Sequence, residues 1–306
     1  MLYIVTAVMA GALIASQSSC NGLLFPTLGV IGVGFVSQAL NAVTIFLYQL
    51  LVKRQLPSFR GLPPYATLGG LTGVFVIGFT GFCVSALGTA VTVCLSVAGQ
   101  LVMSAVVDHY GLLGAEKLPF MKRRLWGFII IILGVFIINF AGSQGGGLLE
   151  GGNGGSGGGG AALLAMLLLA MTLGGLTVIT RMFSFFACRC IGLLNGSLSN
   201  VAVGAAAALA LFFVLSGFRL DLPAFARSNA VGYLAGPMGA AACLMNTVAY
   251  EKLKIFRATI LIMAGQIAMG IAADVMVFHS LPPGKVLGIA VICAGIAIDK
   301  RLTRDR

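Results

Sequence analysis

Long runs of apolar residues follow one another along almost the whole chain, separated only by short breaks of charge, proline and glycine. With 59% apolar and 9% charged residues among 306, the chain has too little polar surface for a water-soluble protein. A helix needs roughly 20 apolar residues to cross a bilayer. The pattern therefore predicts an all-α integral membrane protein with no room for a sizeable soluble domain.

Breaking the apolar runs at their polar and glycine-rich interruptions predicts ten transmembrane helices. They cover residues 2–20, 28–52, 65–86, 88–108, 124–141, 161–180, 191–216, 229–250, 257–277 and 284–299. Twelve of the nineteen residues from Gly142 to Gly160 are glycine, which is typical of a flexible tether. The predicted domains are a first five-helix repeat at 1–142, a linker at 143–160, and a second five-helix repeat with a short basic tail at 161–306.

The distribution of Lys and Arg predicts the orientation in the membrane. If the N-terminus is cytoplasmic, 16 basic residues fall on the cytoplasmic side and only 3 fall outside, namely Arg219, Arg227 and Lys285. Both termini are therefore predicted to be cytoplasmic, in the plasma (inner) membrane, and five spans per half make the two halves inverted. The net charge of +11 is then an orientation signal, and no nucleic-acid partner is expected.

An internal repeat connects the two halves. Ala-Gly-Gln-Leu-Val-Met at 98–103 recurs as Ala-Gly-Gln-Ile-Ala-Met at 264–269, and Asp108 and Asp274 each follow the glutamine by eight positions, so the offset is 166 throughout. A repeat of half the chain with inverted topology is typical of a secondary transporter that works by alternating access.

Polar residues within the predicted spans are candidate contacts of a transported solute, because each costs free energy inside a bilayer. Gln100 and Gln266 fall near the middle of spans four and nine. A bond between helices, which only stabilises packing, explains each glutamine equally well. The candidate substrate-binding residues are Gln100, Gln266, Gln17, Asn21, Ser96, Met103, Met269 and Asn246.

Charged residues at the ends of the spans have two interpretations each. Asp108 and Asp274 are candidate gating or ion-coupling carboxylates, but capping of a neighbouring helix or pairing near the headgroups is favoured, because terminal carboxylates are common there.

Gln17 corresponds to either Thr180 or Arg181 in the second half, and the sequence leaves both registers open. Arg181 is either a contact for an anionic substrate or an anchor at the cytoplasmic side, and its place in the charge count favours the anchor.

No enzyme, cofactor or metal is expected. The seven cysteines are odd in number and mostly scattered inside apolar runs, and the one close pair, Cys188 and Cys190, has no histidine nearby in the sequence. The chain also carries no HExxH, GxSxG or Walker-type motif and no paired carboxylates at catalytic spacing.

A family resemblance supports these predictions. The residues from 98–103, through Asp-His-Tyr-Gly at 108–111, to Arg-Leu-Trp-Gly at 124–127 resemble the drug/metabolite transporter superfamily, and more closely its small five-span YdcZ-type proteins. The resemblance covers about 1–142, with a weaker copy at 161–299. It implies a bundle of two inverted five-helix repeats around a central cavity, with spans four and nine in the cavity wall and spans five and ten toward the periphery.

The leading hypothesis is a carrier or exporter of a small organic solute that uses no nucleotide hydrolysis. The alternative is a non-transporting membrane scaffold or assembly partner, in which the glutamines are only packing residues. The expected partners are the small-molecule solute and the lipid bilayer, and association into a homodimer is left open.

Overall fold

The computed structural model describes residues 2–110, 159–215, 227–253 and 255–278, together with positions 133, 290, 291 and 294. Every regular element within these ranges is a helix. In the described ranges, three short helical turns lie at Tyr48–Val52, Pro64–Thr67 and Ala230–Leu234. The α-helices are α1 (Leu2–Leu47), α2 (Leu68–Leu87), α3 (Thr89–Tyr110), α4 (Gly159–Ile191), α5 (Leu193–Leu215), α6 (Ala235–Lys252) and α7 (Ile255–Phe278).

The described helices are those of a membrane protein. Four segments among them are long and apolar enough to cross a bilayer, and large apolar side chains such as Leu51, Val214 and Met276 lie exposed on the bundle. Almost all of the predicted fifth and tenth spans, and the linker up to residue 158, lie outside the described residues. The four segments are Leu2–Val52, Pro64–Leu87, Ala161–Ile191 and Leu193–Val214.

The first two predicted spans are two arms of α1 that meet at Gly29. The sequence predicts a break between residues 20 and 28, but the helix continues through Pro26 and breaks at Gly29. Its φ of 64° is one that glycine adopts without steric cost. Ser37 donates a hydrogen bond to Asn21, sixteen residues earlier. These residues would be about 24 Å apart in a straight helix, so the two arms, residues 2–28 and 30–47, fold back on each other.

The sixth predicted span is longer than the sequence indicates. It is predicted to end at residue 180, before the charge of Arg181, but α4 continues to Ile191. Gly192, with φ 86°, directly follows the helix and has the left-handed backbone that commonly ends helices. The charge of Arg181 therefore lies inside the helix and does not mark its end.

The same close contact between helices occurs twice. Gly11 in the first arm of α1 packs against the backbone carbonyl of Ile262 in α7, and Gly174 in α4 packs against the carbonyl of Ser96 in α3. A Cβ atom at either glycine would collide with the facing backbone. The two glycines, Gly11 and Gly174, are 163 residues apart, and the residues whose carbonyls they meet, Ser96 and Ile262, are 166 residues apart.

This repeated contact gives the register between the first arm of α1 and α4. A shift of 163 residues relates Gln17 to Thr180 and Ser18 to Arg181. Of the two registers that the sequence leaves open, this contact therefore gives the one that relates Gln17 to Thr180. Arg181 then has no charged counterpart in the first half.

The contacts also give helix directions. Tyr65, in the short helical turn just before α2, lies against Phe186 of α4, with ring centroids 5.6 Å apart. Thr72 of α2 shares a hydrogen bond of 2.9 Å with Thr180 of α4. Residue numbers that increase toward α2 and along it are paired with decreasing numbers in α4, so α2 and α4 are antiparallel. The second arm of α1 is antiparallel to α2 in the same way, and hence α4 runs opposite to the first arm of α1.

Candidate functional site

Gln100 and Arg181 form a hydrogen bond in the interior of the bundle. Gln100 lies in the middle of α3 and is 3% exposed. Nη1 of Arg181, from α4, donates to Oε1 of Gln100 at 2.9 Å, and Nε2 of Gln100 donates to Oγ of Ser96 at 3.4 Å. The structure therefore brings the predicted residues Gln100 and Ser96 together and adds a guanidinium group to them.

Arg181 does not lie at the end of its helix, where the sequence predicts the sixth span to end. Ten more residues of α4 follow it, about 15 Å of helix, and its side chain meets the centre of α3. It is half-buried, and among the described residues it has no carboxylate within ion-pair distance. The predicted span end at residue 180 is wrong because a charge inside an apolar run resembles the end of a span, and the anchor interpretation stays a prediction.

One face of α6 completes the polar interior. Gly239, Cys243 and Asn246 are spaced by four and three residues, so they lie on the same side of the helix. A Cβ atom at Gly239 would lie 2.5 Å from the amide nitrogen of Gln17 and 3.1 Å from that of Asn41, which places both amides against this face.

The other two residues of the α6 face are Cys243 and Asn246. Cys243 is close enough to Arg181 for an electrostatic interaction, and its thiol lies 3.6 Å from the hydroxyl of Ser197. Oδ1 of Asn246 is buried and has no hydrogen-bond partner among the described residues. The predicted residue Asn246 thus lies on the same face of α6 as Cys243, and the predicted residue Gln17 of α1 packs against that face.

Asn21 is bonded within α1. Its Oδ1 accepts the hydrogen bond from Ser37, and both side chains are buried. This bond joins the two arms of α1, which is the role of interhelical polar residues in packing. A contact between Asn21 and solute stays a prediction.

The remaining predicted pathway residues are separate from the Arg181 contact. Gln266 of α7 is 3% exposed, and its Oε1 has no hydrogen-bond partner among the described residues. Met269 packs against the apolar core, and Met103 lies beside Gly175 of α4. The two repeated glutamines therefore have different surroundings, since of the two only Gln100 is bonded to a cation within the described ranges.

Asp274 caps α3 from a neighbouring helix. Its carboxylate accepts hydrogen bonds from the backbone N–H groups of Thr89, at 2.5 Å, and Ala90, at 3.0 Å. These are orphan donors at the start of α3, where negative charge is stabilising. The capping interpretation holds for Asp274, and its role in gating stays a prediction. The side chain of Asp108 lies outside the described part of the chain.

Two further buried polar residues of α1, Gln38 and Asn41, are not among the candidates from the sequence. Gln38 is 3% exposed, and a Cβ atom at Gly73 would lie 3.0 Å from its amide nitrogen. Asn41 lies beside Gln17 at Gly239. Their spacing of three residues in an apolar run is the signal that could have identified a polar helix face.

The cysteines that the structure describes do not assemble a metal centre. Within the described ranges, no group of three or more His, Cys, Asp or Glu side chains comes together. Cys188 and Cys243 each lie 3.6 Å from the hydroxyl of Ser197, while Cys190 is exposed at the end of α4.

The chain is similar to a known family over both halves. A DMT family model whose description reads "Putative inner membrane exporter, YdcZ" matches residues 2–137 and again residues 165–298. No curated protein matches the chain. One solved structure, described only as the crystal structure of a protein, has a TM-score of 0.57 and 15% identity, covering 98% of this chain and 97% of that one. At that identity the likeness concerns the fold alone.

Proposed function

The chain belongs to the YdcZ family of the drug/metabolite transporter superfamily, and on that premise we propose that it is a secondary carrier that exports a small organic solute by alternating access. The observation that carries the proposal is the Gln100–Arg181 bond. It joins a helix of the first half to a helix of the second, inside a bundle of apolar helices. Charged and amide groups are costly in that environment and are typical of a solute pathway.

The arrangement of the helices supports two inverted repeats. The family model matches twice, the Gly11 and Gly174 contacts are equivalent, and α4 runs opposite to the first arm of α1. Inverted halves place equivalent residues near the middle of the membrane, where carriers of this kind bind solute. We therefore keep ten spans, five in each half, as part of the proposal.

The proposed solute site is the polar interior between α1, α3, α4 and α6. Gln100, Ser96 and Arg181 line one side, and Gln17, Asn41 and Asn246 line the other. Gln266, Met103 and Met269 are proposed to line the pathway above and below the site, and Asp108 and Asp274 to act at its two ends. Asn21 is proposed to contact solute only when the arms of α1 move.

Flux through the full-length chain in proteoliposomes tests this function. Purified protein is reconstituted and loaded with members of a metabolite panel, and counterflow of each labelled compound is measured. Saturable exchange of at least one solute is expected, with no requirement for ATP. A correctly folded protein that exchanges nothing in the panel would favour the scaffold alternative.

The orientation gives a separate prediction. A cysteine introduced as Ser156→Cys in the glycine-rich linker is expected to react with a membrane-impermeant maleimide added outside intact cells, because 16 basic residues place the other ends of the spans in the cytoplasm. Cys190, exposed at the end of α4, is the internal control and should react only after permeabilisation. The reverse pattern would overturn both the orientation and the cytoplasmic termini.

A further inference from the structure

We infer that the transported solute carries an anionic group and that Arg181 binds it. This inference rests on the proposed function and adds the chemical class of the substrate. It starts from the positive charge of the Arg181 guanidinium. A fixed charge of this kind needs a counter-charge wherever water is scarce.

The known contacts of Arg181 do not supply that counter-charge. Its hydrogen bond goes to the amide oxygen of Gln100, which is neutral. Asp274, the one buried carboxylate among the described residues, is bonded to the start of α3 at Thr89 and Ala90. The guanidinium has five N–H donors, and the structure shows one of its nitrogens in use, so donors remain for a further group.

The other copy of the repeated contact, between the first arm of α1 and α7, has no arginine at the equivalent place. Gln266 is equivalent to Gln100 and just as buried, yet no cation from the described part of the chain is bonded to it. The position equivalent to Arg181 is Ser18, whose hydroxyl donates to the carbonyl of Ile14 in its own helix. A buried glutamine at this place therefore folds without a guanidinium partner, which argues against a purely structural role for Arg181.

The surroundings of Arg181 are suited to a small polar anion. Gln100 holds the guanidinium in place through one nitrogen, and the half-buried side chain stays accessible. Asn246, one turn from Cys243, has a buried amide oxygen without a partner and is available to a hydrogen-bond donor of the same solute. A carboxylate or phosphate oxygen accepting from the free N–H groups would complete the shell of Arg181.

Binding of simple probes tests the inference without requiring transport. The melting temperature of the purified chain is measured in a neutral maltoside detergent, at constant chloride, with benzoate or with its uncharged analogue benzamide. Benzoate is expected to raise the melting temperature in a concentration-dependent way, because a ligand that binds only the folded state stabilises it. Benzamide is expected to leave it unchanged.

Three variants separate the charge from the fold. Arg181→Gln should weaken benzoate binding by at least about thirtyfold, the low end for removing one partner of a desolvated charge pair, while Arg181→Lys should retain part of it. Arg189→Gln is the matched control, because Arg189 lies on the same helix, exposed, 5.6 Å from the ring of Phe185. An equal benzoate effect in wild type and Arg181→Gln, or an equal effect of benzamide, would overturn the inference.

A measurement on the wild-type chain covers the case in which the variants do not fold. Phenylglyoxal modifies accessible arginines, and mass spectrometry reports its attachment to Arg181 and Arg189 separately. Benzoate and methyl phosphate should protect Arg181 and not Arg189. Protection by phosphatidylglycerol alone would assign the anion to a lipid headgroup and overturn the inference about the solute. Binding without flux would instead contradict the proposed function, so the two failures are distinguishable.

Discussion

Replacing Gly174 with alanine is expected to destabilise the folded chain by about 3 kcal/mol or to prevent its accumulation, the upper range for overpacking. The new Cβ atom would collide with the backbone of Ser96, including its carbonyl oxygen and Cα. A backbone cannot rotate away as a side chain can, so α3 and α4 would have to separate. Thermal unfolding of the purified variant in detergent measures the loss.

The adjacent glycine provides the control. A Cβ atom at Gly175 would meet only ordinary contacts, the nearest being Cε of Met103 at 3.4 Å, and alanine is a better helix former than glycine by about 1 kcal/mol. Gly175→Ala is therefore expected to leave the stability unchanged or slightly raised. The equivalent residue in the first half is already alanine, Ala12. Equal stability of the two variants would contradict the close contact of α3 and α4.

Removing the carboxylate of Asp274 is expected to cost about 2–3 kcal/mol, the sum of a lost helix cap and buried donors left unpaired. In Asp274→Ala the N–H groups of Thr89 and Ala90 would lose their acceptors, and Thr89 is fully buried. Thermal unfolding of the purified variant measures the loss.

Asp274→Asn separates capping from gating. The asparagine keeps one acceptor oxygen and removes the charge, so about half of the stability loss is expected. If Asp274→Ala unfolds like the wild type while its transport is lost, the carboxylate acts in gating or coupling and the capping account is wrong.

The helices and the repeated glutamines were predictable from the sequence, because their signals are local. Apolar runs of membrane length identify the spans, and identical motifs at offset 166 identify Gln100 and Gln266. The structure places both glutamines in buried positions near the middle of α3 and α7. Capping by Asp274 also followed from a general preference of carboxylates for helix starts.

The partners of these residues depend on contacts between helices and were not predictable. The sequence treats Arg181 as the end of a span, but Gly192 ends that helix and the guanidinium reaches Gln100 on another one. Gly29 was not identifiable as the turning point of α1, because the sequence has many glycines and nothing local distinguishes the one at which the helix breaks. The polar face of α6 is likewise recognised only by what packs against Gly239.

Transport and stability measured on the same preparations of Gln100→Leu and Gln266→Leu test the central claim most directly. A leucine fits the apolar surroundings, so each variant should melt near the wild-type temperature. Loss of a hydrogen bond to solute should lower flux or raise KM by about tenfold, with the larger effect at Gln100, which also positions Arg181. Variants that lose stability by up to about 2 kcal/mol while their folded fraction transports like the wild type would contradict the claim that these amides line a solute pathway.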